Sequence, residues 1–116
     1  MAAATEEGRI TAAIRKMLNG FPDFWTWKQW QGPMSHPKGI PDILGIRRVK
    51  VADLVAAGVE EVGVFVAIEV KTDRGTVSDQ QKKVITVMRD YRAVAFVARS
   101  IDDAIDNLGL RNRFLL

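Results

Sequence analysis

Apolar residues follow helical and strand-like periods in turn along the chain. Thr5 to Leu18 carries them at a helical spacing, with Thr5 as a candidate N-cap. Phe24 to Gln31 is aromatic and alternating, which is typical of a strand. Asp42 to Ile46, which follows a proline, and Gly63 to Lys71 predict two further strands.

The remainder predicts a helix, a strand and a second helix, over Ser78 to about Arg89 or Tyr91, Ala93 to Ala98, and Ile101 to Leu108. Ala52 to Ala57 fits either a helical turn or an extended strand. The order αβββαβα predicts an α/β fold with a small mixed central sheet flanked by helices. At 116 residues, the chain has the size of a single domain spanning 1–116.

The strand from Gly63 to Lys71 ends in charged residues. Successive side chains of a strand alternate between its faces, so Glu69 and Lys71 share one face with Phe65 and Ala67. The other face is wholly apolar and is predicted to be core, with Val64, Val66, Ile68 and Val70. Glu69 and Lys71 are then either solvated charges at a strand end or part of a site in a cleft.

Asp42 favours the second interpretation. If its strand pairs antiparallel with the Glu69 strand, the start of one lies beside the end of the other, and Asp42 neighbours Glu69. Two facing carboxylates are destabilising unless a positive charge lies between them, and a divalent cation suits that position.

Composition narrows the chemistry. The chain has no cysteine and a single histidine, so a metal would need oxygen ligands, as magnesium, manganese and calcium prefer. The net charge of +3 and pI of about 9.5 are compatible with a polyanionic partner. We find neither an apolar run of membrane-spanning length nor a signal-peptide pattern, and predict a cytoplasmic protein.

Three segments together resemble the signature of the PD-(D/E)XK nuclease superfamily, and within it the stand-alone VRR-Nuc (virus-type replication-repair nuclease) family. They are Gly39-Ile40-Pro41-Asp42, Ile68-Glu69-Val70-Lys71 and Ser78-Asp79-Gln80-Gln81. A leading helix with Glu7 matches as well, so the resemblance covers roughly Glu7 to Val97. It implies a restriction-endonuclease-like core.

The resemblance also implies catalytic roles, for Glu7, Asp42, Glu69, Lys71 and Gln81. Asp42 and Glu69 would bind Mg²⁺ or Mn²⁺ with the main-chain carbonyl of Val70, and Glu7 would reach the metal or its waters. Lys71 would position or activate the attacking water and offset charge on the phosphate. Gln81 would support the site.

Several of these residues have a structural alternative. Ser78 and Gln81 form S-x-x-Q, a capping box that is complete without catalysis. Glu7 and Glu6 are also favourable charges in a first helical turn. The tryptophans near residue 27 suit base stacking, core packing or a subunit interface. A role for the loop residue His36 stays open.

Basic residues near the motif are candidates for phosphate contacts, namely Lys38, Arg74, Lys82 and Lys83. The segment from Arg47 to Gly63 is longer than the connection that the resemblance leads us to expect, and it bears on substrate fit.

The resemblance therefore implies a metal-dependent DNA endonuclease. Stand-alone members of this type resemble Holliday junction resolvases, which suggests branched DNA in replication or repair and a homodimer with paired sites. A phage-encoded protein acting in the host cytoplasm fits this type. The alternatives are a flap or nicking endonuclease, a non-catalytic nucleic-acid-binding module and a structural subunit.

Overall fold

A computed structural model describes residues 5–28, 39 and 41–114, excluding the side chain of Phe114. The chain divides into an N-terminal unit, Met1–Glu61, and a C-terminal unit, Val62–Leu116.

The described residues of the N-terminal unit form two helices and an antiparallel strand pair. They are α1 (Glu6–Asn19), β1 (Phe24–Lys28), β2 (Ile43–Arg47) and α2 (Val51–Ala56). The predicted cap of α1 is confirmed, because the Thr5 hydroxyl accepts a hydrogen bond from the Gly8 amide at 2.9 Å. The register of the pair runs from Phe24 opposite Arg47 to Lys28 opposite Ile43.

Thr26 ties β1 to α1 and to β2. Its side chain is only 6% exposed, and its hydroxyl donates to the Asn19 amide oxygen at 2.8 Å. A Cβ at Gly45 would lie 2.8 Å from the Thr26 methyl group, so β2 approaches β1 closely at that pair. The ring centroids of Trp25 and Trp27, on one face of β1, are 4.9 Å apart.

The C-terminal unit is a β-α-β unit followed by a helix and a short 3-10 helix. Its elements are β3 (Val66–Val70), α3 (Asp79–Asp90), β4 (Val94–Ala98), α4 (Ile101–Asn107) and the 3-10 helix Arg111–Phe114. β3 and β4 are parallel, from Val66 opposite Val94 to Val70 opposite Ala98. α3 and α4 both pack on β4, in which Ala95, Phe96 and Ala98 are buried.

The prediction that the apolar face of β3 is buried in the core is wrong. Its apolar face is exposed in the structure, with Val66 at 45%, Ile68 at 40% and Val70 at 73% exposure. The face with Ala67 and Glu69 is the more covered one, since both residues line a pocket together with residues of α3. The crossover helix α3 lies on the face of β3 that contains Glu69, as the hydrogen bond from Gln81 to Glu69 shows.

The α/β class with small sheets flanked by helices is confirmed, and the open segment at residues 52–57 is the helix α2. Among the described residues, the N-terminal unit contains the two-stranded sheet β1-β2 and the C-terminal unit the two-stranded sheet β3-β4. β2 pairs with β1 inside the N-terminal unit and β3 with β4 inside the C-terminal unit, and the antiparallel pairing of the Asp42 strand with the Glu69 strand stays a prediction. The single domain stays a prediction.

No helix within the described ranges is long and apolar enough to cross a membrane.

Candidate functional site

Glu69 and Lys71 meet at the end of β3. They are two residues apart and lie on the same side of the strand. The Lys71 ammonium lies 3.5 Å from Glu69 Oε1. The lysine side chain is 21% exposed and the glutamate side chain 35%, so both are partly screened but open to a ligand. The pair thus forms an ion pair at the strand end, and its role in a site stays a prediction.

Gln81 joins this pair from the first turn of α3. Its side-chain oxygen accepts from the Ser78 amide at 3.0 Å, and the Ser78 hydroxyl accepts from the Gln81 amide at 3.1 Å, which completes the capping box. The Gln81 Nε2 donates to Glu69 Oε1 at 2.9 Å. The capping role and the site role of Gln81 are therefore compatible, because its side-chain oxygen caps the helix and its side-chain nitrogen contacts Glu69.

Glu69 is held asymmetrically by these contacts. Oε1 accepts from Gln81 and faces Lys71, whereas Oε2 has no hydrogen bond to a residue that the structure describes. An ionised carboxylate has lone pairs on both oxygens, so Oε2 is available to a cation. We refer to Glu69, Lys71 and Gln81 as the strand-end cluster.

A pocket of about 380 Å³ opens beside the strand-end cluster. Its polar lining residues are Glu69, Gln81, Gln80 and Ser78. Its apolar lining residues are Ala67 and Ile68 of β3 and Val84, Ile85 and Met88 of α3. The cluster therefore borders a concave surface with room for part of a substrate.

Of the other predicted metal-site residues, Glu7 and Asp42 are in the N-terminal unit and Val70 is in the C-terminal unit. Glu7 is exposed in the first turn of α1, and Asp42 is exposed just before β2. Neither side chain forms a hydrogen bond or ion pair with the described part of the chain. Val70 is the last residue of β3, opposite Ala98. The adjacency of Asp42 and Glu69 stays a prediction.

The predicted phosphate contacts fall into two groups. Arg74, Lys82 and Lys83 are exposed on either side of Ser78, the first in the turn after β3 and the others in α3. Lys38 lies outside the described residues, as do His36 and Trp30.

Sequence reasoning missed Arg99, which follows β4. Its guanidinium donates to the main-chain carbonyls of Thr72 and Gly75 in the loop after Lys71. A basic residue at a strand end is too common for the sequence to have indicated this contact.

The strand-end cluster provides some of the oxygen ligands that a hard cation needs. Glu69 offers a carboxylate oxygen, the ligand that Mg²⁺ and Mn²⁺ prefer. No group of three or more acidic, histidine or cysteine side chains that could hold a metal occurs among the described residues. The strand-end cluster thus supplies one ligand side chain, and Asp42 is the predicted second.

The chain also matches a known family. The profile of the VRR-NUC domain matches residues 2–102, a span that contains every residue predicted to be catalytic. No curated protein and no solved structure shows a significant match to the chain.

Proposed function

Because the chain belongs to the VRR-NUC domain family, and is thus of the nuclease type, we propose that it is a metal-dependent endonuclease acting on branched DNA. The observation that carries the proposal is the hydrogen bond from Gln81 to Glu69, which joins the E-x-K strand to the S-x-x-Q helix. A capping box alone does not require the glutamine to reach a carboxylate on another element.

The metal would be held by Glu69, Asp42 and the carbonyl of Val70, with Glu7 contributing directly or through water. When bound, a Mg²⁺ or Mn²⁺ ion polarises the scissile phosphate and lowers the pKa of a coordinated water. Gln81 orients the Glu69 carboxylate by its hydrogen bond to Oε1, which leaves Oε2 available to a ligand.

Lys71 offsets negative charge. Its ammonium lies on the same side of β3 as Glu69 and is partly exposed, so it can approach both the carboxylate and a bound phosphate. A cation fixed beside the reacting phosphate stabilises charge that develops in the transition state. We assign Lys71 to that task and to positioning the attacking water.

The basic residues Arg74, Lys82 and Lys83 support DNA as the substrate, because exposed cations near the cluster suit the phosphates that flank a cleavage point. We further propose a homodimer, since two sites related by a two-fold axis suit paired cuts in a symmetric junction.

The test is cleavage of three labelled DNAs of matched sequence, which are a four-way junction, a flap and a linear duplex. Each is incubated with Mn²⁺, with Mg²⁺ and with a chelator. We expect metal-dependent paired cuts in opposite strands of the junction and little cleavage of the duplex. Glu69→Gln should abolish these cuts, and Glu61→Gln, which changes an exposed glutamate outside the motif, should not.

The other outcomes identify the alternatives. Preferred cleavage of the flap or nicking of the duplex would indicate a different substrate for the same site. Tight junction binding without cleavage in either metal would indicate a binding module. Full cleavage by Glu69→Gln would overturn the site assignment.

A further inference from the structure

The loop that follows Lys71 is fastened by an arginine from the end of β4. Arg99 Nη1 donates to the carbonyl of Thr72 at 2.5 Å and to that of Gly75 at 2.8 Å. A third carbonyl, that of Asp73, lies at the longer distance of 3.5 Å. Since Nη1 carries two hydrogens, the two short contacts account for its donors. One guanidinium nitrogen thus bridges both ends of the turn.

This contact begins where the backbone ladder ends. The register of β3 and β4 stops at Val70 opposite Ala98, and the amide of Lys71 makes one further bond to the Ala98 carbonyl at 3.1 Å. Beyond that point the chain after β3 enters the Thr72–Gly75 turn, and the chain after β4 enters α4. The Arg99 side chain then provides the donors that a longer ladder would have provided.

Arg99 is itself fixed at its backbone. Its amide donates to the Asp103 carboxylate at 2.8 Å, and the amide of Asp103 donates to the hydroxyl of the N-cap Ser100 at 3.1 Å. These bonds secure the start of α4 beneath the arginine. The guanidinium therefore extends from a defined position.

The turn has little else to hold it. Its internal backbone bond is that from the Gly75 amide to the Thr72 carbonyl, at 3.0 Å, and most of the segment is exposed. Exposed turns with few backbone bonds open at low free-energy cost. This segment connects Lys71 to the Ser78 cap, so its opening would displace residues at both ends of the strand-end cluster.

We propose that Arg99 is a positioning residue, which holds the Thr72–Gly75 turn closed and thereby keeps Lys71 and Gln81 in register with Glu69. The inference rests on the proposed nuclease function. It concerns a residue outside the three motif segments, and it predicts an effect on the rate of the bound complex rather than on DNA affinity.

The test compares Arg99→Ala, Arg99→Lys and the control Arg111→Ala. Arg111 is also a hydrogen-bonded arginine of the C-terminal unit, but its partners are Asp102 and Asp106. The readouts are kcat and KM for junction cleavage with Mn²⁺, and hydrogen exchange of the Gly75 amide. We expect Arg99→Ala to lower kcat by ~10- to 100-fold with KM changed by less than ~3-fold, because small misplacements of reacting groups have effects of that size.

Exchange at Gly75 should accelerate in Arg99→Ala and less so in Arg99→Lys, whose ammonium retains a donor for the carbonyls but not the planar fork. Partial recovery of kcat in Arg99→Lys should accompany the slower exchange. Arg111→Ala should change neither readout.

Three results would overturn the proposal. These are an unchanged kcat in Arg99→Ala, an equal fall in Arg111→Ala, and a higher KM in Arg99→Ala at normal kcat. If Arg99→Ala does not fold, Arg99→Lys must still show the smaller fall in kcat with intermediate exchange. Wild-type protein that cleaves no DNA rejects the nuclease function, whereas active wild type with a normal Arg99→Ala rejects the positioning role alone.

Discussion

Glu69 and Asp42 are the two acidic positions of the nuclease motif, and the two units present them differently. Glu69 ends a parallel strand and is contacted by Lys71 at 3.5 Å and by Gln81 at 2.9 Å. Asp42 precedes an antiparallel strand, is exposed, and forms no hydrogen bond or ion pair with the described residues.

The difference follows from the connections in each unit. In the C-terminal unit, α3 returns over β3, so its capped first turn lies beside the strand end only 12 residues back along the chain. In the N-terminal unit, the Asp42 strand pairs with β1 through its backbone, which fixes the strand but not the carboxylate before it. The Glu69 carboxylate is preorganised by its neighbours, whereas the orientation of the Asp42 carboxylate depends on a ligand or a more distant contact.

The largest expected effect tests whether the two positions serve one metal. Asp42→Asn and Glu69→Gln should each lower Mn²⁺-dependent junction cleavage by ~10³-fold, since several kcal/mol of charge stabilisation are lost. The double variant should be no slower than either single variant, because residues that act as a unit are not additive. Cleavage rates measure this, with Glu61→Gln as the control. Full activity of Asp42→Asn would confine the site to the C-terminal unit.

The next largest effect separates the two charged members of the strand-end cluster. Lys71→Ala should lower cleavage by ~10²-fold, the range seen for loss of one group that stabilises transition-state charge. It should leave Mn²⁺ binding in place, whereas Glu69→Gln should weaken that binding. A Mn²⁺ titration followed by magnetic resonance distinguishes them. Equal loss of Mn²⁺ affinity in both variants would remove the separate role of Lys71.

A smaller effect separates the cap from the site. Gln81→Ala should lower cleavage by ~10-fold, because it removes the hydrogen bond that orients a metal ligand. Ser78→Ala should lower the free energy of unfolding by ~1 kcal/mol through the lost cap, with cleavage within about twofold of wild type. Urea unfolding and cleavage rates measure the two effects. If both variants lose only stability, Gln81 is a capping residue alone.

The smallest expected effect concerns DNA affinity. Lys82→Ala should weaken junction binding. The slope of the logarithm of the binding constant against the logarithm of the salt concentration should also become less steep, by ~0.9 for each lost phosphate contact. Lys16→Ala, an exposed lysine in the last turn of α1, serves as the matched control. Fluorescence anisotropy at several salt concentrations measures the slopes. An unchanged slope in Lys82→Ala would place its ammonium outside the DNA contact surface.

Much of the C-terminal unit follows from local sequence patterns. Ser78 and Gln81 at the start of α3 are a capping signal, and they form the predicted capping box. The alternation at Glu69 and Lys71 places both on one side of β3, as observed in their contact. Such features depend on a few neighbouring residues and on the period of the backbone, so the sequence alone is sufficient to predict them.

Other features depend on residues far apart in the chain. The apolar face of β3 has the composition of a core face, yet Val66 and Val70 are exposed because α3 lies over the opposite side. The antiparallel pairing of β2 with β1 was likewise not visible in the strand patterns. A strand has two faces and two edges. Its composition does not determine which face another element will cover or which edge another strand will pair with.

The sequence by itself determined most of the helices and strands, the caps of α1 and α3, and the motif residues that match the VRR-NUC family, but it left residues 52–57 open between helix and strand. Only the tertiary structure decided that Gln81 caps its helix and also contacts Glu69, and that Arg99 fastens the turn between them. Periodicity and capping are local properties of the chain. The contact of one side chain with another element is set by how the chain folds back, which no short segment encodes.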